Sequence, residues 1–193
     1  MSISQKYITI PVHYLLSLFL VIVLSPIFLI ISILIFFSSK GPILYYSNRI
    51  GRNGIIFQMP KFRTMNIDAP VIASHLFDNS KDYLLPFGGF LRRTSLDELP
   101  QLFSILKGEM TLVGPRPALF NQTDLVLLRK EKGIDTLMPG VTGWAQVKGR
   151  DTLSIIEKVS LDFEYLQRQS FWFDTKILFI TIFKVFNRDG VLE

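Results

Sequence analysis

Asp97 and Glu98 are adjacent carboxylates in a stretch, 92–117, that also carries Arg92, Arg93 and Arg116. A carboxylate can serve as a nucleophile or as a ligand for a hard cation, and an arginine fork matches phosphate oxygens. An acidic pair set among arginines therefore points to chemistry on a phosphorylated substrate. The same residues carry a plainer signal. Ser95-Leu-Asp-Glu98 matches a helix capping box, in which Ser95 and Glu98 satisfy each other's backbone donors. Pro100 conflicts with a helix begun at Ser95, because it would fall beyond the first turn and cost a hydrogen bond. A start at or just after Asp97 places Pro100 in the first turn. Either start sets both carboxylates at a helix N-terminus, where the dipole favours the ionised form and attracts phosphate oxygens.

Other cations recur at spacings that could serve the same chemistry. Phe57, Met59, Lys61 and Arg63 alternate onto one strand face, so Lys61 and Arg63 could grip a diphosphate together or form an ordinary solvated edge. Gly114-Pro-Arg-Pro117 is a rigid turn presenting Arg116 to a substrate or simply to solvent. Residues 138–150, MPGVTGWAQVKGR, hold glycines that allow close backbone approach to a nucleotide, with Arg150 at the end. Trp144 there could stack on a base, although a core tryptophan is the commoner use. Asp162 and Tyr165 lie about one helical turn apart and would not stand out alone.

These residues need elements to hold them. Residues 43–63 read as two strands turned at Gly51-Arg-Asn-Gly54, where Asn53-Gly54 is a hairpin signal. A helix over roughly 99–107 presents Leu99, Leu102, Phe103 and Leu106 as its apolar face and stops at Gly108. Residues 66–86 are a polar surface excursion. Residues 122–132 and 153–168 have helical patterns. The segment 171–186, FWFDTKILFITIFKVF, is a helix lying at a membrane interface or buried in a core.

The N-terminal segment sets the location of any chemistry. Between Tyr14 and Phe37 no residue is charged, which exceeds the roughly 20 apolar residues that span a bilayer. Ser25-Pro26 lies near its centre and predicts a break. Two outcomes fit: a kinked crossing helix, which hydropathy favours, or two half-helices that enter and leave on one face, with Ser25 helping to satisfy freed backbone groups. Lys40, Arg49, Arg52, Lys61 and Arg63 follow the segment and place its C-terminal side in the cytoplasm, while Lys6 alone does not place the N-terminus.

Composition excludes several classes. The 193 residues allow one domain with a core, and the net charge of +5 suits anionic headgroups and substrates. No basic helix or nucleic-acid motif is present, so no nucleic acid is expected as a partner. With no cysteine and only His13 and His75, thiol chemistry, disulfides, cysteine-based zinc sites and a histidine triad are out.

The order Ser25-Pro26, then KFRTM, SLDELPQL, GPRP, PGVTGWAQV and finally Leu-Asp-x-x-Tyr resembles the bacterial sugar transferase family, the monotopic phosphoglycosyl transferases, over residues 14–190. The resemblance implies an α+β fold. Residues 1–40 would form a re-entrant helix-break-helix hairpin in the membrane, reversing the hydropathy preference. Residues 41–193 would form a small mixed helical and β-hairpin catalytic domain with interfacial helices, on the cytoplasmic face of the bacterial inner membrane. It implies transfer of a sugar 1-phosphate from a UDP-sugar to polyprenol phosphate, releasing UMP, at the start of glycoconjugate assembly. Asp97 would be the nucleophile, forming a phosphosugar-aspartyl intermediate. Glu98 would bind Mg²⁺ and assist the lipid phosphate, and Arg92 would meet that phosphate. Lys61, Arg63 and Arg116 would hold the diphosphate, with Arg150 and Asp162 completing the nucleotide and metal side. The family often has a basic pair and an aspartate at the start of its membrane helix, where this chain has Thr9, Ile10 and His13. The partners are a UDP-sugar, polyprenol phosphate and the bilayer. A homo-oligomer is compatible with the sequence, which does not set the oligomeric state. Two competing readings are a non-catalytic membrane scaffold that binds polyprenol phosphate or pathway enzymes, and a one-pass protein whose basic face binds anionic lipid. The intact Asp97-Glu98 pair argues against the scaffold, and the motif order against the one-pass protein.

Overall fold

The computed structural model describes residues 3–69, 83–149 and 152–187. Two apolar helices come first, α1 (Ile3–Val23) and α2 (Ser25–Ser38), bent by 60° at Leu24. No single helix among the described residues is long and apolar enough to cross a membrane, but the bent pair is, by length and composition. Pro26 has no N–H to give to the carbonyl of Ile22 one turn back. The Ser25 hydroxyl donates to that carbonyl instead, at 2.7 Å. The break thus leaves no loose acceptor, as an apolar surrounding demands.

The predicted hairpin forms from β1 (Leu44–Ile50) and β2 (Ile56–Phe62), antiparallel with Tyr45 opposite Lys61. Its turn uses positive φ at Asn53 (56°) and Gly54 (78°), as an Asn-Gly turn does. The helices α3 (Gly88–Arg93) and α4 (Gln101–Leu106) follow. Then come β3 (Thr111–Val113), β4 (Ala118–Leu119), α5 (Thr123–Glu131), β5 (Gly140–Thr142), α6 (Trp144–Lys148), α7 (Ile155–Arg168) and α8 (Phe171–Asn187). The sheets are small: β2-β1-β4 is antiparallel, and β3 pairs with β5 in parallel. The result is mixed helix and strand, as α+β predicts. A bridge between Met65, just before the 66–86 excursion, and Leu84 closes it, and residues 70–82 lie outside the described residues.

One core cluster gathers Phe57, Met59, Leu102, Ile105, Trp144 and Ile177, with Leu16 and Leu20 of α1 packed against it. A second joins Ile31 and Ile35 of α2 to Phe62 and Leu91. The bent pair is therefore docked on the domain by one face, while Leu15, Phe19, Ile22, Leu29, Ile30 and Phe37 stay exposed on the other. The helix α8 is similarly two-sided. Phe173 and Ile177 are buried, while Trp172, Phe179 and Phe183 are exposed, so it joins the core and also bares an apolar face.

One sequence expectation fails here, and one open alternative closes. Phe103 is 40% exposed, its ring centroid 5.5 Å from that of Phe28 in an edge-on contact. The buried side of α4 is Gln101, Leu102, Ser104 and Ile105, because α1, β2 and β3 all pack on this short helix. Trp144 resolves to the core use: it is buried, donates through Nε1 to Glu164 at 2.7 Å and packs on Phe173.

Candidate active site

Asp97 and Glu98 sit in a 3-10 turn, Leu96–Glu98, between α3 and α4. The capping box does not form. Ser95 is left-handed (φ 56°) and makes no side-chain cap, and α4 begins only after Pro100. The expectation that an α-helix dipole would hold the pair ionised therefore fails. Long-range ion pairs take Glu98 instead. Lys61 Nζ lies 2.7 Å from Glu98 Oε1, Arg116 Nη2 lies 2.6 Å from the same oxygen, and Arg116 Nη1 lies 3.4 Å from Oε2.

The two carboxylates, 7% and 8% exposed, are driven in opposite directions. Burial alone would raise both. At Glu98 the attraction of Arg116 and Lys61 and their hydrogen bonds outweigh burial and hold the carboxyl well below its ordinary value. At Asp97 burial prevails, helped by the charge on Glu98, and the carboxyl is raised despite Lys61, Arg92 and Arg116. Lys61 Nζ stands 3.9 Å from Asp97 Oδ2, too long for a hydrogen bond.

Arg92, in the last turn of α3, donates through Nε to the Thr64 hydroxyl at 3.0 Å. Burial lowers its guanidinium while Asp97 acts to raise it, which places Arg92 within electrostatic reach of the pair. Arg63 does not share the predicted strand face with Lys61. β2 ends at Phe62, and the buried Arg63 turns from the Lys61 side to donate to the carbonyls of Lys40 at 2.7 Å and Ser39 at 2.9 Å. Those carbonyls follow the end of α2 and need donors. Gly41 makes room: with φ 120°, a Cβ there would lie 2.6 Å from Arg63 Nη1.

Asp162 also stands apart from the pair. It is buried in α7 and bound by Arg129, whose Nη2 lies at 2.6 Å and Nε at 3.0 Å from Oδ2. Tyr165, one turn on, is buried and donates to Asp174 at 2.7 Å. Arg150 lies outside the described residues.

Arg49 and Arg129 were not singled out by sequence. Arg49 donates to the Pro117 carbonyl at 3.2 Å and to Ser47 at 3.1 Å. Its guanidinium is lowered to about 10 by burial and then by Arg116, which marks two cations held close together. The two-residue period of β1 puts Ser47 and Arg49 on one face, and that was the available signal. Arg129, in the last turn of α5, reads in sequence only as a charge suited to the helix dipole. Lys61, Arg92, Arg116 and Arg49 together outnumber the two carboxylates. Such a site favours an added anion of high charge, such as a diphosphate.

A family model described as bacterial sugar transferase matches residues 4–188. The UDP-glucose:undecaprenyl-phosphate glucose-1-phosphate transferase of Escherichia coli (strain K12) is 37% identical over 179 residues, covering 89% of this chain and 38% of its own length. The undecaprenyl-phosphate galactose phosphotransferase of Salmonella typhimurium is 37% identical over 172 residues, covering 78% of this chain and 34% of its own. The uncharacterized sugar transferase EpsL of Bacillus subtilis is 38% identical over 153 residues, covering 79% and 74%. The chain thus spans well under half the length of the first two.

Proposed function

The chain belongs to the bacterial sugar transferase family, and from that we propose that it transfers a sugar 1-phosphate from a UDP-sugar to a polyprenyl phosphate, starting glycoconjugate assembly. The observation that supports this most is the division of charge between neighbours. Glu98 Oε1 is held by both Lys61 and Arg116, with a longer Arg116 contact to Oε2, while Asp97 is buried, raised and has Lys61 only at 3.9 Å. An under-compensated carboxylate is a stronger nucleophile than one already gripped by cations.

An Asp97 oxygen attacks the β-phosphorus of the donor. The O–P bond forms as the bond from β-phosphorus to the bridging oxygen breaks, and UMP leaves with that electron pair. A phosphate oxygen of the lipid then attacks the same phosphorus, the aspartyl bond breaks, and Asp97 is restored. Lys61 and Arg116 hold the diphosphate and stabilise charge developing on its oxygens. Arg92 meets the acceptor phosphate. Glu98 keeps both cations oriented and takes part in proton handling.

Among the described residues no group of three or more His, Cys, Asp or Glu gathers here, so an Mg²⁺ would rest on Glu98 and the donor phosphates. Glu98 Oε2 receives only a long contact from Arg116, which leaves this hard oxygen with acceptor capacity beside a second carboxylate. Glu98 would hold the ion, which when bound neutralises charge on the donor phosphates.

The bent pair of helices supports a re-entrant arrangement at the cytoplasmic face of the bacterial inner membrane, with both ends on the catalytic side. Cysteines introduced at Ser2 and Ser80 should then label from the same side, and opposite-side labelling would rule it out.

The test of the chemistry is intact-mass analysis after incubation with Mg²⁺ and a panel of UDP-sugars without lipid. A sugar-phosphate adduct is expected, absent in Asp97→Asn. If no donor gave adduct or UMP, and polyprenyl phosphate restored no turnover, the reading would fail.

A further inference from the structure

Arg116 carries much of the proposed charge stabilisation, yet a fork is useful only if its backbone is held. The carbonyl oxygen of Arg116 accepts a hydrogen bond from Arg129 Nη1 at 2.8 Å. Arg129 comes from α5 and is itself fixed by Asp162 of α7, at 2.6 Å and 3.0 Å. Both side chains are nearly out of solvent, 12% and 1% exposed. Burial raises the Asp162 carboxyl, with Arg129 opposing.

A buried ion pair is a weak contributor to stability, because desolvation offsets the attraction and a well-packed apolar pair of equal volume often does as well. What an apolar pair cannot supply is the remaining N–H of Arg129, which reaches across to the 114–117 loop. Two helices thereby act on one backbone carbonyl of the residue that faces Glu98.

We infer that Arg129 and Asp162 form a positioning pair that sets the Arg116 fork against Glu98 through the Arg116 backbone carbonyl. Arg129 acts through Arg116 and touches neither carboxylate of the pair. The inference rests on the phosphoryl-transfer reading of the site, since only there does the placement of Arg116 govern a rate. A displacement of about 1 Å at such a group can cost on the order of a hundredfold.

The experiment uses the full chain in lipid nanodiscs and a double-mutant cycle. Arg129→Gln should lower kcat/KM by roughly tenfold or more in the native background, but by less than about twofold once Arg116 is alanine. Equal losses in both backgrounds would overturn the inference, because a merely structural defect multiplies through either. Amide hydrogen exchange over 114–119 reads the same link without turnover. Arg129→Gln, and the charge-retaining Arg129→Lys, should both raise exchange there while α7 stays protected. Unchanged exchange in the loop overturns the inference whatever the activity, as does exchange raised equally across the domain. If the native chain turned over no UDP-sugar, the reaction reading would fail on its own, and exchange would still decide whether the pair holds the loop.

Discussion

Arg116 faces Glu98 as a fork, with Nη2 at 2.6 Å from Oε1 and Nη1 at 3.4 Å from Oε2, while the next residue back, Asp97, has Lys61 only at 3.9 Å. One neighbour is neutralised and the other is kept hungry for a partner.

Removing the two charges should therefore have opposite effects on stability. Asp97 has a folded pKa above its unfolded value, so its ionisation penalises the fold increasingly as pH rises past the ordinary 3.8. Asp97→Asn should melt higher than the native chain at neutral pH, with the gain vanishing in acid below that value. Glu98 is the reverse: its stabilisation is present above the ordinary 4.5 and is lost as pH falls through its lower folded value. Glu98→Gln should cost about 2–3 kcal/mol at neutral pH, less than a fully buried pair because Arg116 is 30% exposed. Thermal melts from pH 3 to about 8 check both signs, and a destabilised Asp97→Asn would contradict the assignment of strain to Asp97.

The rate of adduct formation should climb with pH as Asp97 ionises, with its midpoint above the ordinary 3.8. Lys61→Ala should move that midpoint further up, because Lys61 opposes the shift. Single-turnover rates measured by mass across pH provide the test. A midpoint at or below the ordinary carboxylate value excludes a raised nucleophile.

Adjacent glycines offer a sharp contrast. A Cβ on Gly88 would lie 2.2 Å from the backbone oxygen of Thr64, the residue whose hydroxyl receives Arg92, while one on Gly89 would meet only Leu84 at 3.9 Å. Gly88→Ala should lower acceptor turnover at least roughly tenfold by displacing Arg92. Gly89→Ala should be tolerated within about 0.5 kcal/mol. Kinetics with varied polyprenyl phosphate distinguish them, and equal behaviour would sink the Arg92 assignment.

Ser154 makes the capping box that Ser95 does not. Its hydroxyl accepts from the Glu157 backbone at 3.3 Å, and Glu157 accepts from the Ser154 backbone at 2.8 Å. Ser154→Ala should cost about 1 kcal/mol in a denaturant titration. Ser95→Gly should not weaken a cap, and it relieves the positive φ of 56°.

Pro26→Ala restores the donor that the Ser25 hydroxyl now replaces. It should straighten the helix pair and move a cysteine at Ser2 to the opposite side in the labelling assay. Same-side labelling in the variant would mean that packing of Ile31 and Ile35 sets the bend.

Local signals were legible where local physics decides the outcome. Asn53-Gly54 turned the hairpin, Pro26 broke the apolar helix, and the spacing over 153–168 formed α7. The motif singled out the acidic pair, and the structure places it buried beside Lys61 and Arg116. The two Ser-x-x-Glu stretches show the boundary: 154–157 caps a helix, whereas 95–98 does not, because cations from residues 61 and 116 take Glu98 first. Phe103 was misplaced for the same kind of reason, and the contacts of Arg63 with Ser39 and Lys40 and of Asp162 with Arg129 were illegible because each partner is distant in sequence.

The grip of Arg63 on the carbonyls of Ser39 and Lys40 fastens the exit of the apolar helices two residues from Lys61. If those helices lie in lipid as proposed, this clasp works as a depth gauge, holding the carboxylates at one height above the hydrocarbon. Only the phosphate end of the acceptor must reach that height. Turnover should then scale with the acceptor's mole fraction in the bilayer rather than with its bulk concentration, as an encounter counted per unit area.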